Sequence, residues 1–165
     1  MATTSRVKTP APPRTRYEDD LYTWVGEQVA LLRAGRLDEV DALNLAEELS
    51  DVGKAEFHKL HGAIAVLTLH LLKWDHQPAR RSRNWMATIR EQRRCVQRVL
   101  NANPGLKSRL TGAIEEGYAD GRDRAVGETD LDEVVFPESC PYTFDEMMLR
   151  AIEYEPKPAP KPKKR

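Results

Sequence analysis

Between residues 76 and 98 the sequence places seven arginines, Arg80, Arg81, Arg83, Arg90, Arg93, Arg94 and Arg98, against one acid, Glu91. A guanidinium is a planar fork of N–H donors that fits phosphate and carboxylate oxygens alike. These seven residues are the candidate interaction surface, and two uses are open to them. One is a phosphate-rich ligand such as RNA. Arg80 and Arg81 precede a helix whose first N–H groups favour an anion, and Trp85 supplies a stacking surface if it is exposed. The other is pairing with acids, inside the chain or on a partner. Residues 115–133 hold eight acids against Arg122 and Arg124, so neighbouring segments carry opposite charge. Trp85 aligns with Ile89 and Val96, which favours a core position for it.

The histidines are the next residues able to do chemistry. His58 and His61 lie three apart, His70 lies nine further on, and His76 follows Asp75 close to Arg80 and Arg81. Arginines that hold a backbone and a histidine that moves protons would suit a hydrolase or nuclease centred on His70 or His76. Metal sites in helix bundles use Glu-x-x-His pairs from two helices. Here the residues three before His58, His61 and His70 are Ala55, His58 and Leu67. A site drawn from Glu47, His58, His61 or His70 lacks that signature. His70 reads instead as a polar core residue, held by a carboxylate such as Glu48 or stacked near Trp74. Cys95 and Cys140 have no base placed beside them in sequence, and a thiol nucleophile needs one. No phosphate-cradling glycine motif occurs. The sequence thus assigns no catalytic residue, no metal and no cofactor.

Helices must position these residues. The stretch Gly62–Trp74 is apolar on almost every side and too long for a buried strand. Leu60, Ile64, Leu67, Leu71 and Trp74 share one face at 100° per residue, with Val66, Leu69 and Leu72 on others. Such a helix, from about Lys54 to Trp74, belongs at the centre of a bundle. A first helix is predicted from Tyr17 or Glu18, with Asp19 and Asp20 in its first turn and Leu21, Trp24, Val25, Gln28, Leu31 and Leu32 as its apolar stripe. Gly35 reads as its C′ glycine. A second runs from Asp38 or Asp41 to Leu49, burying Leu45, Ala46, Leu49 and Val52, with a bend near Ser50–Gly53. Pro78 closes the central helix. Ser82 caps a fourth, from Arg83 to about Ala102. A fifth, acidic helix places Gly117 and Gly121 four apart, where another helix can approach closely. Thr143 and Glu146 form a capping box for a last helix, from Phe144 to about Ile152, and Met147, Met148 and Ile152 seal the bundle.

Two cysteines make no disulfide framework, and the start of the chain lacks the apolar run of a signal peptide. The expected location is the cytoplasm, away from membranes. The formal net charge is zero, but its distribution is uneven. Residues 1–16 hold four bases and residues 156–165 hold five, with no acid in either. Without those nine, 17 bases face 26 acids, a net of −9. An acidic body argues against a dedicated nucleic-acid binder but leaves room for a local basic patch.

A set of linked motifs carries a resemblance. They are Tyr17-Glu18-Asp19-Asp20-Leu21-Tyr22-Thr23-Trp24, Leu31-Leu32-Arg33-Ala34-Gly35-Arg36, Asn44-Leu45-Ala46-Glu47-Glu48-Leu49 and Gly53-Lys54. They continue with His70-Leu71-Leu72-Lys73-Trp74, Gln77-Pro78, Arg80-Arg81-Ser82, Trp85, Thr88-Ile89-Arg90-Glu91-Gln92-Arg93 and Phe136-Pro137-Glu138-Ser139-Cys140-Pro141-Tyr142-Thr143. Over nearly all of residues 17–150 the chain resembles the bacterial family of unknown function DUF29. The resemblance implies a small all-helical protein and brings no activity, cofactor or catalytic residue with it. The expectation is an all-α, single-domain bundle of five or six helices over residues 17–155, between disordered basic tails at 1–16 and 156–165. Its expected role is non-enzymatic, with a protein partner or self-association. Binding of RNA or another phosphate-rich ligand is the alternative, and the His70 or His76 enzyme the third.

Overall fold

The computed structural model describes residues 15–154. Five α-helices form it: α1 (Leu21–Arg33), α2 (Ala42–His76), α3 (Arg83–Ala102), α4 (Leu110–Glu128) and α5 (Phe144–Leu149). Short 3-10 turns at Leu37–Glu39, Pro78–Arg80, Pro104–Arg109 and Glu133–Val135 punctuate the connections, and the described residues contain no strand. The protein is all-α, as its periodicity predicts. The basic tails expected at 1–16 and 156–165 lie outside the described residues, except for Thr15 and Arg16.

Local chemistry sets the helix limits. Asp20 is the N-cap of α1, its carboxylate accepting from the Thr23 N–H at 3.1 Å. The helix therefore starts at Leu21, and the predicted first-turn acids precede it. Gly35 follows α1 at φ +69°, the left-handed conformation a C′ glycine supplies. Ser82 accepts from the Trp85 N–H at 3.2 Å at the start of α3. Thr143 and Glu146 form the reciprocal capping box of α5. That helix stops at Leu149, short of the predicted Ile152.

The larger departure is α2. The helix ending at Leu49 and the one starting at Lys54 are one uninterrupted helix of 35 residues. One mid-helix glycine costs only about 1 kcal/mol relative to alanine. Ser50, Asp51 and Val52 before Gly53 are modest helix formers, but the strong formers Leu45-Ala46-Glu47-Glu48-Leu49 and Lys54-Ala55-Glu56 flank the weak stretch, and propagation carries through it. The helix also runs two residues past Trp74, to His76, before Gln77-Pro78 ends it.

Two compact units divide the chain, residues 1–52 and 53–165, and α2 contributes to both. In the first unit Trp24, Gln28 and Leu31 of α1 are buried. The Gln28 carbonyl oxygen accepts from the Asp41 N–H at 2.8 Å. Tyr17 stands edge-on to Trp24 with ring centroids 5.0 Å apart, and its hydroxyl donates to Glu48 at 2.6 Å.

In the second unit the predicted face of α2 (Leu60, Ile64, Leu67, Leu71, Trp74) packs with Ile89, Val96, Val99 and Leu100 of α3, Ala113 of α4, and Met147 and Ile152. Leu69 and Leu72, on another side of α2, pack with Tyr118, Ala125 and Phe136. Burial on two sides is what an apolar-all-round helix requires. The glycines of α4 allow the approach: a Cβ at Gly117 would lie 2.9 Å from Ile64 Cγ2, and one at Gly121 would overlap Thr68 Oγ1.

Candidate functional site

The seven arginines fall into two groups. Arg81 Nε donates to the Trp74 carbonyl at 2.8 Å, and its guanidinium lies 5.2 Å from the Trp74 ring, so it serves the C-terminal end of α2. Arg93 Nε donates to the Met147 carbonyl of α5 at 2.6 Å. Burial, and then the neighbouring Arg150, push the Arg93 pKa below its usual value. Arg80 lies 3.5 Å from Asp130, with both side chains largely exposed. Arg83, Arg90, Arg94 and Arg98 remain exposed along α3.

Pairing of the stripe with the acidic helix is therefore not how the described residues use it. The acids of that segment go elsewhere. Asp120 faces His61 Nε2 at 3.4 Å, Glu128 takes Lys73 at 2.6 Å, and Glu133 takes Arg122 at 2.8 Å. Only Arg80 of the seven reaches an acid in residues 115–133. Trp85 is half-buried, with the Lys73 ammonium 4.8 Å from its ring centroid. It is neither an open stacking surface nor a sealed core residue.

The histidines do not converge. His70 Nδ1 donates to the Val66 carbonyl one turn back at 2.9 Å, and burial pushes the imidazole pKa down. Its predicted holder, Glu48, instead accepts from Tyr17, and Glu47 is exposed. His76 stands edge-on to Phe136 at 5.2 Å. His58 is exposed beside Phe57. Among the described residues no group of three or more His, Cys, Asp or Glu is placed to hold a metal ion. Burial raises the Cys140 thiol pKa, and its Sγ donates to the Tyr142 carbonyl at 3.5 Å. That is the opposite of nucleophile activation.

Two features lacked a local sequence signal. One is the cluster of Asp75, Tyr142 and Arg150, assembled across 67 and 75 residues. The other is a set of exposed apolar side chains on the first unit, of which Val25, Leu49 and Val52 line one groove and form its apolar face. Leu21, Tyr22, Val25, Leu32, Leu37, Leu43, Leu49 and Val52 are exposed, eight of the eleven exposed large hydrophobic residues described. Leu21, Val25, Leu32, Leu49 and Val52, and Ala46 beside them, which is also exposed, were expected in the core, because their helical spacing matches a buried stripe. A groove of about 240 Å³ runs between α1 and the first turns of α2, with Val25, Val29, Leu45, Leu49 and Val52 among its walls. Residues 15–52 carry ten acids and three bases, a net of −7.

No helix among the described residues is long and apolar enough to cross a membrane. Comparison with curated proteins and with solved structures gives no match. A family model does match, over residues 16–151, and takes in both the arginine-bearing α3 and the open apolar face. The chain belongs to the family described as domain of unknown function DUF29.

Proposed function

We propose that the protein is a non-enzymatic interaction module that docks a protein partner on the apolar face of its first unit. The observation that carries this reading is the groove whose walls include Val25, Leu49 and Val52, large hydrophobic side chains that are themselves exposed. Exposed apolar patches rimmed by polar residues are a common mark of interaction sites. The histidines and cysteines, by contrast, are engaged within the fold or stand apart from one another.

Charge selects the occupant. The net charge of −7 over residues 15–52, and of −4 over the whole unit, would oppose a symmetric pairing of this face with itself in a second copy. The outer face of α3 has the opposite charge, but Arg83, Ala87, Arg90, Arg94 and Arg98 offer no large apolar side chain to fill a groove. The partner that fits is a different protein presenting a basic amphipathic helix. Its apolar anchors would lie between α1 and α2, with its Lys or Arg side chains over the acidic rim.

The test is selection of the full chain against a display library of helical peptides spanning acidic, neutral and basic faces. Basic amphipathic helices that bind, and weaken tenfold or more on Leu49→Glu, support the reading. Enrichment of acidic helices, or binding indifferent to Leu49→Glu, overturns it. Sedimentation showing a dimer abolished by Leu49→Glu would assign the face to self-association instead.

A further inference from the structure

We infer that the outer face of α3 is a docking rail for the phosphate backbone of duplex DNA. This site is separate from the apolar face and does not depend on it. Arg83, Arg90, Arg94 and Arg98 follow at intervals of seven, four and four residues. At 100° per residue they occupy a sector about 80° wide, and at 1.5 Å per residue they extend over about 22 Å. All four are exposed.

Neighbouring cations have work elsewhere. Arg81 and Arg93 bond backbone carbonyls, Lys73 pairs with Glu128, Arg122 with Glu133 and Arg150 with Asp75. The four rail arginines make no ion pair or hydrogen bond with any described residue. Arg90, Arg94 and Arg98 also repel one another as like charges one turn apart. The one acid on α3 is Glu91, exposed at the edge of the rail. A row of unneutralised guanidinium groups is what a polyanion releases its counterions to meet.

The character of the face distinguishes between partners. Its remaining exposed side chains are Ala87, Gln97 and Asn101, and the last two bond each other at 2.9 Å. A protein partner would want an apolar or aromatic anchor at the centre of the contact. A single strand would want exposed rings on which to stack its bases, and the nearby Trp85 is half-buried under Lys73. Neither need is met, whereas backbone phosphates require only the cations. An exposed helix can lie along the major groove of B-form DNA with the long side chains at the two edges of its basic sector, such as Arg90 and Arg98, reaching the flanking phosphates, whereas the deep, narrow groove of A-form RNA does not admit it. Four guanidinium groups can neutralise about four backbone phosphates. The contact carries no base readout, so it is sequence-independent.

The experiment is fluorescence anisotropy of the full chain with a labelled DNA duplex across a salt series. Three variants accompany it. In the first, Arg83, Arg90, Arg94 and Arg98 are all changed to Gln. In the second the same four become Lys. In the third Lys157, Lys161, Lys163 and Lys164 become Gln, which tests the tail. The Gln rail variant is expected to bind at least tenfold more weakly at low salt, and its log K against log salt slope should fall by about 3 to 4. The Lys variant should keep the slope. The inference fails if the Gln rail variant keeps wild-type affinity and slope, or if the tail variant alone abolishes binding. Tighter binding to single-stranded or duplex RNA overturns the assignment to DNA. Should the fourfold Gln variant not fold, Arg90→Gln with Arg94→Gln is read instead, for a slope fall of about 2.

Discussion

Arg150 closes both terminal nitrogens on the two carboxylate oxygens of Asp75, at 3.0 and 3.1 Å. The Tyr142 hydroxyl donates to the same carboxylate at 2.8 Å. This cluster ties the segment carrying α5 to the last turn of α2. The two side chains of the pair are 32% and 30% exposed, so solvent screens the charges in part. Asp75→Asn keeps the shape and removes the charge. It should cost about 1–2 kcal/mol, between an exposed pair and a buried one. A double-mutant cycle with Arg150→Ala, followed by urea unfolding, should return a coupling of about 1 kcal/mol. A coupling near zero would show that the pair holds nothing together.

Alkali should loosen the same cluster. Burial first, and then the bond to Asp75, raise the Tyr142 phenol pKa above its ordinary value. The folded state thus holds the phenolic proton more tightly than the unfolded chain does. The resulting stability is complete below about pH 10, the ordinary tyrosine pKa, and is lost as pH rises from there through the raised folded value. Unfolding midpoints measured upward from pH 10 should fall for the wild type and fall less for Tyr142→Phe. Equal slopes would remove Tyr142 from the account.

What the sequence disclosed, and what it did not, divides by range. The caps at Ser82 and Thr143, the glycine at 35 and the stop at Pro78 depend on residues within a turn of one another, and each was legible. So was the use of Gly117 and Gly121, because a glycine inside a helix pattern weakens the helix and offsets that cost by letting a neighbour approach. The central face of α2 was legible because hydrophobic periodicity is strong over that length. Gly53 misled because its helix penalty was set against propagation from both sides, which sequence alone does not weigh. The division of the seven arginines was hidden, since the Trp74 and Met147 carbonyls that engage Arg81 and Arg93 are brought up by the fold. Leu49 and Val52 share the spacing of core residues, and nothing local marks that no described element covers them.

Acid should act through His70. Burial pushes its imidazole pKa below the ordinary value while Nδ1–H bonds the Val66 carbonyl. The unfolded chain then takes up the proton more readily than the folded one. This contribution is complete above about pH 6.5 and is lost as pH falls through the lowered folded value. Stability measured from pH 7 down to pH 5 should fall less steeply for His70→Gln than for the wild type. An NMR titration placing the His70 midpoint at or above the free-histidine value would contradict this.

The contact between α4 and α2 should tolerate no Cβ at Gly121. One built there overlaps Thr68 Oγ1 and lies 2.7 Å from the Ala65 carbonyl oxygen. Thr68 is fully buried, and the carbonyl belongs to helix backbone, so neither yields easily. Gly121→Ala should destabilise by about 3 kcal/mol, at the upper end of overpacking costs. Gly117→Ala, whose nearest neighbour is Ile64 Cγ2 at 2.9 Å, should cost about 1–2 kcal/mol. Thr68→Ala combined with Gly121→Ala should recover part of the loss. Thermal unfolding of the four proteins orders them, and a neutral Gly121→Ala would show that the helices can part without penalty.

The apolar face of the first unit should be separable from stability. Leu49 and Val52 are 64% and 62% exposed, whereas Leu67 is 0% exposed. Polar replacement of an exposed side chain away from caps and cores changes stability by about ±0.5 kcal/mol at most. Leu49→Gln and Val52→Thr should therefore unfold within that margin of the wild type. Leu67→Ala should lose about 2–5 kcal/mol through the cavity it leaves. The contrast matters for the proposed docking role. A residue kept apolar for the fold would register in denaturant unfolding of the isolated chain. One kept apolar for a partner registers only when the partner is present. Destabilisation by Leu49→Gln comparable to that of Leu67→Ala would place Leu49 in the core and remove the main support for the interaction surface.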